Sequence, residues 1–220
     1  RGVSLDGLRR LLDGRVTPIA HFTCVGTTFA EASDRIREFL DAGVTSFLAL
    51  RGDPPVGVAE EDVVLGDLGS AAELVQLIRN VQTEREPYSQ QPVRGFPHAR
   101  RIGAAPQVTI AVAAFPNGHP RSRTVGQDID ALLAKEAAGA NLAITQLFFD
   151  PDDYFSFVDR ARSAGVTMRI LPGLMPATSA QRLRRIVELS EERMPRDLLA
   201  DLEGADDPVA VGIAHAAELG

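Results

Sequence analysis

The chain has 220 residues, 45% hydrophobic and 24% charged, and its 30 acidic against 23 basic side chains leave a net charge of -7. That is a globular profile with enough apolar side chains for a sizeable core, and its acidity argues against nucleic acid or an anionic membrane surface as the main partner. A single cysteine, Cys24, excludes an internal disulfide and a cysteine metal cluster and suits a reducing, cytoplasmic setting, while no apolar run reaches the ~18–20 residues that a membrane-spanning helix needs.

A helix-like opening, SLDGLRRLLDG, leads into an apolar strand, TPIAHFTCV, with His21 in its middle. The stretch TTFAEASDRIREFLDAG then places Ala32, Ile36, Phe39 and Leu40 on one helical face. Thr28 and Glu31 have capping-box spacing at its start, and Gly43 stands where a helix stops. VTSFLAL is the second strand, and Leu68 to Asn80 reads as a helix. Residues 81–106 are polar and interrupted by Pro87, Pro92, Pro97 and Pro106, so they are expected to be an insertion or mobile loop without a core of its own.

The alternation then resumes. QVTIAVAAF is a strand, VGQDIDALLAKEAAGA a helix and LAITQLFF a strand. DPDDYFSFVDRARSAG is a helix with Asp150 as N-cap and Pro151 in the first turn. TMRILPGLMP is a strand, and Thr178 with Gln181 is expected to cap a further helix that turns Leu183, Ile186 and Val187 inward. Three helices end in Ala-Gly followed at once by an apolar strand, at Gly43, Gly139 and Gly165. Strand–helix units with both strand faces apolar mean a parallel sheet covered by helices.

Two closures fit that pattern: an open doubly wound sheet or a (β/α)8 barrel. Arg51 and Asp53, His119, Gln146 and the stretch from Pro172 to Pro176 all fall at or just beyond C-terminal strand ends, which fits a barrel mouth. The first strand is not followed by G-x-G-x-x-G, which weakens the dinucleotide-fold alternative. The predicted fold is therefore a single (β/α)8 TIM-type barrel domain over residues 1–220, with five of the eight strands visible. Five strands do not close such a barrel, and the chain opens in a helix, so further strands are expected outside this sequence.

LRGD, residues 50–53, reads either as a surface ion pair or as a ligand site at a strand tip, where Gly52 lets a flat group approach the backbone. In the second reading the planar fork of Arg51 suits a phosphate, and Asp53 supplies an acceptor or a negative field. AFPNGHP presents His119 from a loop stiffened by two prolines. Asp128 and Lys135 lie seven residues, two helical turns, apart on the next helix and read either as solvated charges or as ligand contacts. Gln146 is polar within an apolar strand; it is either satisfied by a neighbouring strand or offers an amide to a heterocycle edge. His21 is a buried histidine or an interior ligand contact, and Phe148 and Phe149 read as core. Clustered metal ligands, H-E-x-x-H, G-x-S-x-G and a Walker-type loop are not found in the sequence.

Taken together and in order, HFTCVG, FLALRGDPP, VAAFPNGHP, AKEAAGANLAITQLFFD with DYF, and ILPGLMPATS resemble the methylenetetrahydrofolate reductase family across residues 18–190, leaving 81–106 unmatched. The resemblance implies a (β/α)8 barrel that binds FAD at its C-terminal mouth. It implies reduction of 5,10-methylenetetrahydrofolate to 5-methyltetrahydrofolate by NADH or NADPH in ping-pong hydride transfer, within one-carbon metabolism and methionine biosynthesis. The FAD contacts it implies are His21, Arg51, Gly52, Asp53, Phe115, His119, Asp128 and Lys135. Asp53 would also tune the flavin and help hold folate, with Gln146 and Arg182 as further substrate contacts. Folate and nicotinamide are the expected partners, with a homo-oligomer allowed.

Several positions depart from the family pattern. The general-acid glutamate belongs to a first barrel strand, and neither that strand, the second nor the last is visible here. Phe115 stands where the family often has tyrosine, and Arg182 where it has glutamine. Asn117 and Arg121 replace common acidic residues, which makes their loop more basic and suggests a phosphate-rich ligand. Two other readings within the family remain: a reductase that works without flavin, and a non-catalytic binding subunit. A barrel lyase or aldolase using Lys135 as a Schiff base is disfavoured, because Lys135 sits in a helical pattern and not on a strand.

Overall fold

A computed structural model describes residues 5–12, 14, 17–52, 66–85, 88–104 and 107–220. Asp53 lies outside the described residues. The elements in order are α1 (Leu5–Leu12), β1 (Ala20–Thr23), α2 (Phe29–Asp41), β2 (Ser46–Leu50), α3 (Ala71–Arg85), β3 (Tyr88–Val93), β4 (Phe96–Ala104) and β5 (Thr109–Ala114), then α4 (Val125–Ala137), β6 (Leu142–Leu147), α5 (Pro151–Ser163), β7 (Arg169–Gly173), α6 (Ala180–Ser190), α7 (Arg196–Gly204) and α8 (Pro208–Glu218). Among the described residues, no helix is long and apolar enough to cross a membrane.

The main sheet has five strands in the order β1-β2-β5-β6-β7. Pairing of β1 with β2 and of β2 with β5 is parallel, with Ala20 opposite Phe47 and Phe47 opposite Ile110. Spatial order follows chain order throughout. A doubly wound sheet reverses its strand order at a switch point, whereas a (β/α)8 barrel winds in one direction. The sequential order therefore decides between the two closures: these are five consecutive strands of the barrel type, each followed by a helix.

The chain divides into two compact units, Arg1–Val112 with Ala134–Leu142, and Ala113–Leu133 with Ala143–Gly220. In the first, β1 alternates buried Ala20 and Phe22 with exposed His21 and Thr23, as period-2 side chains require. Phe22, Phe47, Ile36, Leu74, Val75 and Ile78 form the buried side of this unit. Phe39 of α2 meets Phe22 edge-on at 6.1 Å. The expected capping box is present: Thr28 Oγ1 accepts from Glu31 N at 3.3 Å, and Glu31 Oε2 accepts from Thr28 N at 3.0 Å. Arg79 of α3 ties the unit together, its guanidinium donating to Gly139 O at 2.9 and 2.7 Å and to Val108 O at 2.9 Å.

Residues 81–106 differ from the expected loop. α3 continues to Arg85, and β3 and β4 form an antiparallel hairpin around Gly95, whose φ is +83°. Pro92 and Pro97 are tolerated because both strands of a two-stranded ribbon are edges, where a missing N–H can face solvent.

In the second unit, α6, α7 and α8 enclose a core of Ala177, Leu183, Ile186, Leu198 and Leu202, joined by Leu147 and Phe149. Gly212 of α8 packs so closely that a Cβ there would lie 2.0 Å from Ala177 O. Asp150 caps α5 as expected, accepting from Asp152 N at 2.9 Å, with Pro151 opening the helix. The cap of α6 is one residue later than expected: Ser179, not Thr178, accepts from Arg182 N at 3.1 Å. Phe148 is buried and stacks on Tyr154 at 5.4 Å, while Tyr154 donates its hydroxyl to Ile170 O at 3.0 Å.

Candidate active site

The first unit carries His21, Arg51, Gly52 and Lys135; the second carries Phe115, His119, Asp128, Gln146 and Arg182. Each group is built by its own local chemistry.

At the tip of β2 the chain turns across the end of β1. Arg51 O accepts from Cys24 N at 3.2 Å and from Val25 N at 3.0 Å. The buried Cys24 thiol adds a contact to the same oxygen at 3.4 Å. Burial pushes that thiol's pKa up, and the negative charge of Glu73 adds to the effect, so Cys24 is a neutral packing group. Gly52 follows at φ +92°, and a Cβ there would lie 3.1 Å from Thr23 Cβ. The backbone angle calls for glycine, and a Cβ would in addition press on Thr23. The arrangement leaves Arg51, half-buried, at a strand end beside a backbone that carries no side chain. His21 shares the exposed face of β1 with Thr23, in register with Leu48 of β2. Lys135 is half-buried in the last turn of α4.

The loop after β5 is held at nearly every residue. Gly118 N donates to Phe115 O at 3.2 Å and Ser122 N to His119 O at 2.8 Å, so the loop closes on itself in two turns. Asp128, at the start of α4, accepts from His119 N at 3.2 Å and from Ser122 Oγ at 2.7 Å. Its carboxylate organises the loop that presents His119, a local task that its spacing to Lys135 does not reveal. The His119 ring lies edge-on to Phe115 with centroids 4.6 Å apart. His119 Nδ1 accepts from Arg121 N at 3.1 Å. In the neutral ring the proton therefore sits on Nε2, which becomes a donor.

Three contacts fasten the other side of this loop. Arg160 of α5 donates to Pro116 O at 3.2 Å. Asn117 Nδ2 donates to Asp153 Oδ2 at 3.0 Å and to Glu192 Oε2 at 2.9 Å. Burial raises the pKa of Glu192 above the ordinary glutamate value and the nearby Asp153 charge adds to this, while the Asn117 hydrogen bond offsets part of it. Asn117, Asp153 and Glu192 border a cleft of about 410 Å³ whose lining includes Phe149, Met194, Arg196 and His215. His215 Nε2 is buried there without a hydrogen-bond partner among the described residues. Sequence reasoning misses Asn117, Asp153 and Glu192 as a group; Asn-Gly marks a turn but not what the asparagine holds.

Gln146 is half-buried on β6, and its Oε1 accepts from the adjacent Leu147 N at 3.0 Å. The bond is to its own strand and not to a neighbouring one. Next to it, buried Thr145 accepts from Gly173 N at 2.9 Å through Oγ1. Arg182 is exposed in the first turn of α6. Among the described residues, no group of three or more His, Cys, Asp or Glu is arranged to hold a metal.

The chain is similar to several known proteins. A 5,10-methylenetetrahydrofolate reductase of Escherichia coli K12 is 30% identical over 187 residues, covering 85% of this chain and 53% of that protein. A probable methylenetetrahydrofolate reductase (NADPH) of Caenorhabditis elegans is 32% identical over 188 residues, covering 86% of this chain and 25% of that protein. A probable methylenetetrahydrofolate reductase (NADH) of Oryza sativa subsp. japonica is 31% identical over 205 residues, covering 93% and 32%. The chain thus spans about half the length of the bacterial relative. An uncharacterized protein from Clostridium thermocellum that binds two copies of 5-methyl-5,6,7,8-tetrahydrofolic acid has a similar fold, with a TM-score of 0.56 at 15% identity, covering 95% of this chain and 61% of that one. The model of one family, methylenetetrahydrofolate reductase, matches residues 11–219. With a match of that extent, and with the strand-tip Arg51–Gly52 and the His119 loop inside it, the chain belongs to the methylenetetrahydrofolate reductase family.

Proposed function

We infer that the protein reduces 5,10-methylenetetrahydrofolate to 5-methyltetrahydrofolate with electrons from NADH or NADPH, carried through a bound FAD. The observation that carries this reading is the family match over residues 11–219. The similar fold of a protein that binds 5-methyltetrahydrofolic acid supports a folate as substrate.

Two sets of residues, one in each unit, support a flavin dinucleotide as the cofactor in this reading. Gly52, at φ +92° beyond the tip of β2, presents a backbone without a side chain, as close approach of a flat or phosphorylated group requires. Arg51 would bind the diphosphate through its planar fork. The Nε2–H of His119, set by the bond to Nδ1, would donate to an acceptor on the cofactor. Phe115 orients that ring, and Asp128 holds its loop. His21 and Lys135 would add cofactor contacts, and Asp53 would hold folate and set the field at the reacting ring. A bound FAD would supply the two-electron carrier between nicotinamide and folate. Gln146 would position the folate heterocycle through its amide, and Arg182 would meet the carboxylates of the substrate.

The test is spectroscopic. The purified protein should carry flavin absorbance, or acquire it on adding FAD. That absorbance should bleach anaerobically with NADH or NADPH and return on adding 5,10-methylenetetrahydrofolate. A protein that binds no FAD yet oxidises NAD(P)H in the presence of the folate would replace this reading with direct hydride transfer. A protein that does neither would leave a binding subunit.

A further inference from the structure

We propose that Asn117 is a positioning residue: its amide clamps the His119 loop to α5 and to the link between α6 and α7, and so sets the orientation of His119. The part that concerns the ligand rests on the flavin reading above; the clamp itself does not.

The amide has two N–H groups and both are used. Nδ2 donates to Asp153 Oδ2 at 3.0 Å and to Glu192 Oε2 at 2.9 Å. Rotating the amide would turn its oxygen toward two carboxylates, an arrangement of three acceptors, so the donor orientation is fixed by its neighbours. The two carboxylates come from separate elements. Asp153 lies in the first turn of α5. Glu192 follows Glu191, a non-glycine residue at φ +57° that reverses the chain after α6. A backbone held in that sparsely populated region needs support from its surroundings, and the Asn117 bond to the next residue supplies some of it.

The consequence for His119 follows from the loop's other bonds. Asp128 grips His119 N and Ser122 Oγ from the α4 side. On the α5 side, Arg160 holds Pro116 and Asp153 holds Asn117. Gly118, at φ +90°, is the one residue between the two grips. A loop pinned on both sides of a glycine keeps its ring in place; releasing one side lets the glycine swing it.

The clamp depends on polarity, which makes it testable by reversal. Asn117→Asp keeps the shape but sets a third carboxylate against Asp153 and Glu192. Combining it with Asp153→Asn and Glu192→Gln restores two donor–acceptor bonds with donor and acceptor exchanged. Hydrogen exchange of the 115–122 amides, measured on the purified chain, should be about tenfold faster in Asn117→Asp and return toward wild type in the triple variant, as expected for losing and regaining hydrogen bonds to charged groups. Asn117→Ala, which removes the donors without adding charge, should give a smaller acceleration and serves if the aspartate variant does not fold. Unchanged exchange in Asn117→Asp and Asn117→Ala, or a triple variant no better than the single one, overturns the clamp. FAD affinity should follow the same order, about tenfold weaker and then restored; affinity that stays constant while exchange changes overturns the role in positioning His119. If the wild type binds no FAD, the flavin reading fails and the exchange arm decides the clamp alone.

Discussion

Replacing Gly52 with alanine should lower the unfolding free energy by about 2–3 kcal/mol, the sum of a backbone and a packing contribution. Gly52 has φ +92°, where a Cβ is disfavoured by about 1–2 kcal/mol. The added Cβ would also lie 3.1 Å from Thr23 Cβ and 3.4 Å from Thr23 Cγ2 and Val25 Cβ. Both neighbours are β-branched and stiff at χ1, so they yield only by moving backbone, at a cost of about 1 kcal/mol. Gly43 is the control. It has φ +90°, and a Cβ added there would meet no atom within 4 Å, so Gly43→Ala should cost only the backbone part. Urea unfolding of both variants separates the two contributions, and their difference of about 1 kcal/mol measures the crowding at the strand tip. Under the proposed flavin reading, Gly43→Ala should leave FAD affinity unchanged and Gly52→Ala should weaken it. If the two variants lose the same stability, the close approach to Thr23 is not a constraint on the strand tip.

Arg79→Met should cost about 2–3 kcal/mol in urea unfolding, because the carbonyls of Gly139 and Val108 lose charge-assisted donors; a loss under about 1 kcal/mol would mean that water replaces the guanidinium. Thr28→Ala removes the acceptor at the start of α2 and should cost about 1 kcal/mol by the same measurement. Glu192→Gln tests the sign of a pH dependence. The folded-state pKa of Glu192 is raised, so its ionised form destabilises the fold above that pKa, and the penalty is relieved as pH falls through the raised value toward the ordinary glutamate range. The glutamine variant should therefore be at least as stable as wild type at neutral pH, with the difference shrinking on acidification. Parallel stability curves from pH 8 down to about pH 5 would contradict that sign.

The parallel sheet is legible in the sequence because its signals are local. Three Ala-Gly pairs mark helix ends, and Gly43, Gly139 and Gly165 do take φ of +90°, +113° and +101°. The Thr28–Glu31 box and the Asp150 cap are readable for the same reason, since each joins residues two or three apart. Ser179 displaces Thr178 as a cap because adjacent hydroxyl residues offer the same side chain at two registers, and only the backbone angle chooses. The hairpin at 88–104 is hidden behind its prolines, which break structure inside a sheet but are accepted on a ribbon made of edges.

The candidate site divides along the same line. The places of Arg51 and Gly52 just beyond β2, and of His119 in the loop after β5, are legible because strand ends can be counted from periodicity. The long-range contacts of the fold are not. Asn117 meets Glu192 across 75 positions of sequence, and Arg79 meets Gly139 across 60. No pattern within either segment distinguishes such a partner from a solvated charge; only the fold brings them within bonding distance. Asp128 shows the intermediate case. Its spacing to Lys135 draws attention to it, yet its carboxylate is engaged nine positions back, by His119 N. A motif therefore tells which residues are candidates for a ligand, while the contacts that hold them in place lie outside the motif. That is why Asn117→Asp is the sharper probe of the clamp: it leaves Arg51, Gly52 and His119 unchanged and reverses the polarity of the contacts that hold the His119 loop.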